Sequence, residues 1–466
     1  MKTVSCISPI DSKILATREL TSDAQLDKIL ARAKIAQKEW AATSIKTRVE
    51  AMEKFLVNLQ AMDDEIVPEL AKQMGRPIRF GGEVPPLVKR VKYLNEMASS
   101  ALANYVPETN GVDQITRYIK RIPVGIVFVI APWNYPYVTA VNGIVPSLLA
   151  GNAVILKHAV QSLLVGERFY KALQNVGLPA GLFSNILIEN EQAATILKAG
   201  KVNHVTFTGS VRGGREVEQA AAGSFTTMNL ELGGKDAAYV CKDANLELTV
   251  ADLAEGAFFN GGQCCCGIER IYVEEAIFDK FVEALVAEAK KLKLGDPLDV
   301  NTTLGPMASL RFADSVRGHI SSALSQGAKA LIDSNLFPQS KLNTPYLAPQ
   351  VLVNVDHSME IMTEETFGPV VGVMPVKNDK EALALINDSK YGLTSSIWTK
   401  DQVRAVELAD QIETGIIYMN RCDHVDPSLV WAGVKQTGRG ASLSKYGFDA
   451  LTKPKSYHLR QGTNFC

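Results

Sequence analysis

From residue 124 onward, runs of β-branched and apolar residues alternate with helix-patterned segments, and this alternation constrains the fold more than any other feature of the chain. "VGIVFVIAP" is a continuous apolar run of the kind found in a strand buried on both faces. It is followed by "NAVILK" (152–157), a helical pattern over 161–176, "SNILI" (184–188), a helical pattern over 191–199, "VNHVTFTGS" (202–210), a helical pattern over 211–222 and "TMNLELGG" (227–234). Strands separated by helices predict an α/β fold, a parallel sheet with helices on both faces. Several of these strands end in Gly, Ser or Asn, at the edge where such sheets bind ligands. The second half repeats the alternation, with strands at 269–274, 370–376 and 394–399 and helices at 277–292, 311–326 and 379–387. Ahead of all this, residues 23–75 carry amphipathic helical patterns. "QITRYIKRIP" from 114 reads as an alternating strand. The tail "DALTKPKSYHLRQ" reads as an extended segment suited to pairing with another element or another subunit.

A chain of 466 residues is too long for one core, so two or more domains are expected. A net charge of -1 offers no electrostatic footprint for nucleic acid or a membrane surface. The most apolar run, 124–133, is too short to span a bilayer, and "MKTVSCISPI" has no signal-peptide h-region. These features predict a cytoplasmic protein with no nucleic-acid or membrane partner. Seven cysteines show no CxxC spacing, and adjacent ones are poorly placed for a disulfide, which fits a reducing compartment. There are six histidines, none at ligand spacing to the cysteine cluster, so the sequence predicts no metal site.

Four segments carry candidate chemistry. In "FTGSVRGG" (207–214) a strand ends, Gly209 and Ser210 make the turn and a helix starts, an arrangement that favours a phosphate but equally describes a tight βα turn. In "APWNYP" (131–136) two prolines stiffen the segment around Asn134. The Asn134 amide is a neutral donor suited to an oxyanion, and taken alone it reads as a loop asparagine satisfying local backbone. In "LELGGKD" (230–236) Glu231 sits beside two glycines, and a lone carboxylate usually faces solvent. "FFNGGQCCCGIER" (258–270) places three thiols side by side in a glycine-flanked turn. A working thiol needs a depressed pKa or a base, and Cys264 and Cys266 are read as buried structural cysteines.

Taken together, "PWNYP", "FTGS", "LELGGK", "FFNGGQCCC" and "EETFGPVV" occur in the order and at the spacing of the aldehyde dehydrogenase superfamily, which the chain resembles over nearly its whole length. Glu231 and Cys265 stand 34 residues apart, as the resemblance requires. It implies a Rossmann-like cofactor domain (1–105 and 123–232), an α/β catalytic domain (233–436) and a small β oligomerisation arm (106–122 and 437–466). In the family the nucleophile is the last residue of G-Q-x-C, so the resemblance implies Cys265 as nucleophile. Asn134 and the Cys265 backbone N–H would hold the oxyanion, and Glu231 would activate the hydrolytic water, which favours the hydrolytic over the coenzyme A-acylating type. The implied cofactor is NAD or NADP. Its contacts would be Ser210 at the helix start with Gly209 and Gly214, Lys157 and Glu365 on the riboses, and Phe367 and Trp133 near the ring.

Two positions depart from the family pattern. Val160 stands where NAD-preferring relatives often have glutamate, leaving NADP open. Ser442 stands where many relatives keep a second glutamate, so Glu231 would act without it. The substrate pocket is expected from Tyr135, Thr139, Asn142, Phe259, Val425 and Trp431. Relatives acting on succinic semialdehyde carry Arg at the positions of Asn142 and Phe259, so that clamp is absent. Aromatic walls suit an aromatic, medium-chain or amino aldehyde. The alternatives are a semialdehyde dehydrogenase of the succinic type and, in a different class, a thiol esterase without redox chemistry. The family arm implies a homodimer or homotetramer.

Overall fold

The computed structural model describes residues 2–108 and 115–460. The parts of the predicted arm at 109–114 and 461–466, with Cys466, lie outside the described residues. Four helices, Asp23–Ala41, Ile45–Gln60, Asp63–Met74 and Val84–Ala101, lead into the first sheet. Ser22 starts the first of them with a capping box, its side chain accepting from the Gln25 N–H while Gln25 reaches back.

The first sheet has six strands in the order Gly438–Arg439, Thr227–Glu231, His204–Thr208, Ile126–Ala131, Ala153–His158, Phe183–Ile186. All pairs are parallel except the one that adds Gly438–Arg439 antiparallel to Thr227–Glu231. The chain runs outward from Ile126–Ala131 to Phe183–Ile186, then returns to place His204–Thr208 on the other side of the first strand. That reversal opens a crevice at the carboxyl ends of Ile126–Ala131 and His204–Thr208.

The second sheet has seven strands in the order Lys329–Ala330, Gln350–Val353, Val370–Val376, Ile268–Glu274, Asp236–Val240, Thr394–Trp398, Ile416–Met419, parallel throughout except at the short first strand. Alternate residues of Asp236–Val240 feed opposite faces: Ala237 and Tyr239 join one apolar core, Ala238 and Val240 another. The α/β expectation is borne out. Asp236–Val240, Gln350–Val353 and Ile416–Met419 are strands for which no sequence expectation was set.

Ile115–Pro123 pairs antiparallel with Thr452–Arg460 to form a separate two-stranded arm, with Tyr118 and Tyr457 stacked at 4.5 Å. The arm boundary drawn at 437 needs correction. Gly438–Arg439 belongs to the six-stranded sheet, and Phe448 and Leu451 are buried in that sheet's core, so the arm's second strand starts at Thr452. Backbone pairing and burial, neither legible in residue types, set that boundary. Among the described residues, no helix is long and apolar enough to cross a membrane.

Candidate active site

Where the carboxyl edge of the first sheet meets the amino edge of the second, the motifs come together. Glu231 is the last residue of its strand, and Asp236 begins a strand of the other sheet. Cys265 lies three residues before the strand Ile268–Glu274, and Phe367 three before Val370–Val376. The connecting glycines are forced by close approach. A Cβ at Gly234 would lie 2.5 Å from the Cys265 carbonyl oxygen. One at Gly262, where φ is +67°, would lie 2.1 Å from the Gly368 carbonyl oxygen.

The cysteine loop leaves the helix Leu246–Phe258 through a turn in which Asn260 and Gly261 take left-handed backbone. Gln263 fastens it: its Nε2 donates to Asn260 O at 3.0 Å and its Oε1 accepts from Ala308 N at 2.8 Å. Asn134 Nδ2 donates to Gln263 O at 3.2 Å, so the amide singled out in the sequence lies two residues from Cys265, and it is buried. The Asn134 backbone carbonyl accepts from Arg76 Nη2 at 2.8 Å and Asn260 Nδ2 at 3.3 Å. Arg76 in turn pairs with Glu83 at 2.7 Å, both fully inside the protein. Glu83 Oε2 accepts from the N–H groups of Tyr137 and Val138 at 2.9 Å each, a remote carboxylate serving the N-terminus of the helix Pro136–Leu149. Sequence reasoning missed Arg76, Glu83 and Asn260. The only signal was an unremarkable "GRP" and a glutamate before a proline pair.

Cys265 is half-buried, while Cys264 and Cys266 are buried. Thiol donation from Cys264 and Cys266 holds the Cys265 thiol below its ordinary pKa, against an opposing push from burial. The Cys264 thiol is itself pushed up to about 12, chiefly by its bond to Cys265. Glu231, far from facing solvent, is 8% exposed. Ser442 Oγ donates to its Oε1 in a short hydrogen bond, and Thr208 Oγ1 donates to Oε2 at 3.4 Å. Burial raises the Glu231 pKa, opposed by Ser442, Arg90 and Thr208. Ser442 supplies no second carboxylate, and its hydroxyl is a direct donor to Glu231.

Of the residues expected at the cofactor, Lys157 lies near the end of Ala153–His158, and Gly209 and Ser210 follow His204–Thr208 at the carboxyl edge of the first sheet. Ser210 caps the helix Val211–Ala221, its Oγ accepting from Gly213 N at 3.2 Å, which leaves the hydroxyl proton free to donate. Gly214 approaches Leu232 too closely for a Cβ, and Gly209 likewise approaches Phe207. Lys157, on Ala153–His158, is half-buried and carries no ion pair or hydrogen bond among the described residues, and burial lowers its pKa. A half-buried ammonium with no partner fits a site made for a polar ligand. Glu365 Oε1 accepts from Gly234 N at 2.9 Å, and burial pushes its pKa up to about 8. Trp133 meets Phe367 edge-on at 5.7 Å and stacks on Phe312 at 4.9 Å. Phe367, in left-handed backbone at φ 54°, is pinned by its N–H to Glu269 Oε1 at 2.9 Å, and Lys235 holds Glu269 in a buried ion pair. The lysine of "ELGGK" thus sets the backbone that carries Phe367. Val160 is exposed and opens a short turn.

Of the expected pocket residues, Tyr135, Val425 and Trp431 pack with the cysteine trio in one small apolar cluster. Arg76 lies 4.6 Å over the Tyr135 ring. Phe259 stands apart, edge-on to Phe80 at 5.0 Å. Thr139 Oγ1 is spent on Tyr135 O at 2.7 Å. Asn142 Oδ1 accepts from Arg90 Nη1 at 3.2 Å, and the same nitrogen donates to Val138 O at 2.6 Å. Arg90 is a further residue the sequence reading missed.

Comparison with known proteins identifies the family. The aldehyde dehydrogenase family profile matches residues 1–457. The chain is 31% identical over 441 residues to a succinate semialdehyde dehydrogenase [NAD(P)+] of Escherichia coli K12, covering 95% of this chain and 94% of the relative. It is 35% identical over 468 residues to 4,4'-diapolycopene aldehyde oxidase of Methylomonas sp., covering 98% and 86%. A crystal structure of betaine aldehyde dehydrogenase from Staphylococcus aureus in complex with NAD+ superposes with a TM-score of 0.93 at 27% identity, covering 100% and 93%. With its fold, its convergent motifs and its relatives in agreement, the chain belongs to the aldehyde dehydrogenase family, as an NAD(P)-dependent enzyme that acts on an aldehyde.

Proposed function

We propose that the chain oxidises an aldehyde to the carboxylic acid, with Cys265 as nucleophile, Asn134 as oxyanion donor and Glu231 as hydrolytic base. The observation that carries this reading is the convergence of Asn134 Nδ2 on Gln263 O, beside Cys265, with Gly234 of the Glu231 segment packed on the Cys265 carbonyl.

The Cys265 thiolate adds to the carbonyl carbon, and the π electron pair moves to oxygen as a thiohemiacetal oxyanion. The second N–H of the Asn134 amide and the Cys265 backbone N–H stabilise that charge, by about 3 kcal/mol per donor. A nicotinamide ring held near Phe367 and Trp133 would accept the hydride as the carbon–hydrogen bond breaks and the oxyanion's electron pair re-forms the carbonyl. A thioester remains on Cys265. Glu231 removes a proton from water as its oxygen attacks the thioester carbon, and the acid departs as the Cys265 thiolate reforms. Burial raises the Glu231 pKa above the ordinary carboxylate value, which makes it the stronger base for the water.

Lys157, Ser210, Gly209, Gly214, Glu365, Trp133 and Phe367 are the residues that would hold the cofactor. Val160 neither bonds a ribose hydroxyl nor repels a phosphate, so we assign both NAD and NADP. Tyr135, Phe259, Val425 and Trp431 favour an aromatic, medium-chain or amino aldehyde. One observation favours a second reading, a semialdehyde bearing a carboxylate: Arg90 is a buried guanidinium bonded to Asn142, and only its Nη1 is engaged among the described residues. Ile115–Pro123 with Thr452–Arg460 supports a homodimer or homotetramer, since the outer edge of Thr452–Arg460 pairs with no strand among the described residues.

The test is a panel of aromatic, aliphatic, amino and carboxylate-bearing aldehydes with each nicotinamide cofactor, read by absorbance of the reduced ring. Reduction with neutral aldehydes supports the first reading, and preference for the carboxylate-bearing set, abolished in Arg90→Met, supports the second. Esterase turnover with no nicotinamide reduction on any aldehyde overturns both.

A further inference from the structure

The Sγ atoms of Cys264, Cys265 and Cys266 all lie within 4.8 Å of one another. Cys264 and Cys266 are 3.5 Å apart, and Asp423 Oδ1 lies 3.3 Å from the first and 2.9 Å from the second. We propose that these four side chains form a site for a thiophilic divalent cation of the Zn2+ and Cd2+ class, and that its occupancy withholds Cys265 from the aldehyde. The inhibitory half rests on the nucleophile assignment above, whereas the binding half does not.

A tetrahedral ion with metal–sulfur bonds of about 2.3 Å needs sulfurs about 3.8 Å apart and a carboxylate oxygen about 3.5 Å from each. Cys264, Cys266 and Asp423 already approach those figures, and side-chain rotation would bring the Cys265 sulfur, within 4.8 Å of the other two, into the fourth place. Three sulfurs select a soft or borderline ion over Mg2+ or Ca2+. Binding makes three metal–sulfur bonds and one metal–oxygen bond and sends the thiol protons to solvent, with no change in oxidation state. Among the described residues the three cysteines are the one group of three or more metal-ligating side chains found close enough together. The sequence predicted no metal because it sought histidines near the cluster. The fourth ligand is instead an aspartate more than 150 residues away, delivered by the loop after Ile416–Met419.

The full-length, reduced and chelator-treated protein is titrated with Cd2+ while calorimetry gives stoichiometry, the thiolate-to-cadmium absorption band reports sulfur ligation and aldehyde oxidation is followed in parallel. One equivalent per chain should bind with the intensity of three thiolates. Activity should fall in proportion and return with EDTA. Asp423→Asn should weaken binding by about tenfold or more. Cys264→Ser/Cys265→Ser/Cys266→Ser should lose the equivalent, and Cys6→Ser should keep it. If the triple variant does not fold, Cys266→Ser alone should lower the band by a third and weaken binding. Undiminished binding to the folded triple variant, or to Cys266→Ser, overturns the site. Cd2+ bound at the trio with activity intact leaves the site standing and overturns the inhibitory half together with the nucleophile assignment.

Discussion

Arg76 Nη2 holds the carbonyl oxygen of Asn134 at 2.8 Å, and the same guanidinium is paired with Glu83 inside the protein. The buried pair thus sets the backbone from which the Asn134 amide reaches the cysteine loop. Removing one partner strands the other charge in a low dielectric, at a cost of about 3 to 5 kcal/mol. Glu83→Gln is expected to lower the urea midpoint accordingly. Glu83→Gln/Arg76→Met should recover much of the stability but not kcat, because Asn134 then lacks its anchor. Equal recovery of both would show that the pair has no positioning role.

Cys265→Ser should lower aldehyde oxidation by more than about a thousandfold, since a serine hydroxyl is almost un-ionised at neutral pH. Cofactor binding, followed by quenching of protein fluorescence, should persist. Glu231→Gln should instead give one fast turnover of reduced cofactor followed by a slow steady state, because the thioester forms and then waits for water.

Ser442 donates to the carboxylate of Glu231, a bond that favours the charged form. Ser442→Ala removes it, so the Glu231 pKa should rise. The acidic limb of the kcat profile, below which the base is protonated, should then move to higher pH. An unmoved limb would separate Ser442 from the base.

The Cys265 thiol lies below its ordinary pKa because its two neighbours donate to it. Alkylation by iodoacetamide should therefore reach half its limiting rate at a pH below the free-cysteine value of about 8.5. In Cys264→Ala/Cys266→Ala the midpoint should move up. Mass spectrometry of the modified peptide identifies the reacting residue.

His158 is buried, its Nε2 against Pro136 O at 3.1 Å and its Nδ1 against Ser162 Oγ at 3.0 Å, and burial pushes its pKa down to about 4. Above about pH 6.5 the ring is neutral in both folded and unfolded chains. As pH falls from there to about 4 the unfolded chain takes a proton that the folded one resists, so stability is lost across that window, by about 3 kcal/mol. His158→Gln should flatten the fall of the urea midpoint over this range. Part of the slope should remain, since His204 is also pushed down to about 4.

Much of the architecture was legible because a strand buried on both faces must be apolar throughout. "VGIVFVIAP" and "VVGVMPV" proclaim themselves for that reason, and they appear as Ile126–Ala131 and Val370–Val376. Asp236–Val240 escaped notice although it lies centrally in its sheet, because its alanines and leading aspartate carry no strand signature and its place is set by neighbours on both sides. The motif glycines were legible as a type, since only glycine tolerates backbone contact as close as that of Gly234 with Cys265.

By itself the sequence determined the alternation of strands and helices, the reactive residue types and the spacing that sets Glu231 and Cys265 in one motif series. Only the tertiary structure decided that Glu231 is buried against Ser442, that Arg76 and Glu83 anchor Asn134, that Arg90 reaches Asn142 and that Asp423 meets the thiols. Hydrophobic periodicity reports which face of a segment is buried. It carries no record of which distant polar group meets another once the chain closes, and burial, the main cause of the pKa shifts of Glu231, Glu365 and His158, exists only in the packed molecule.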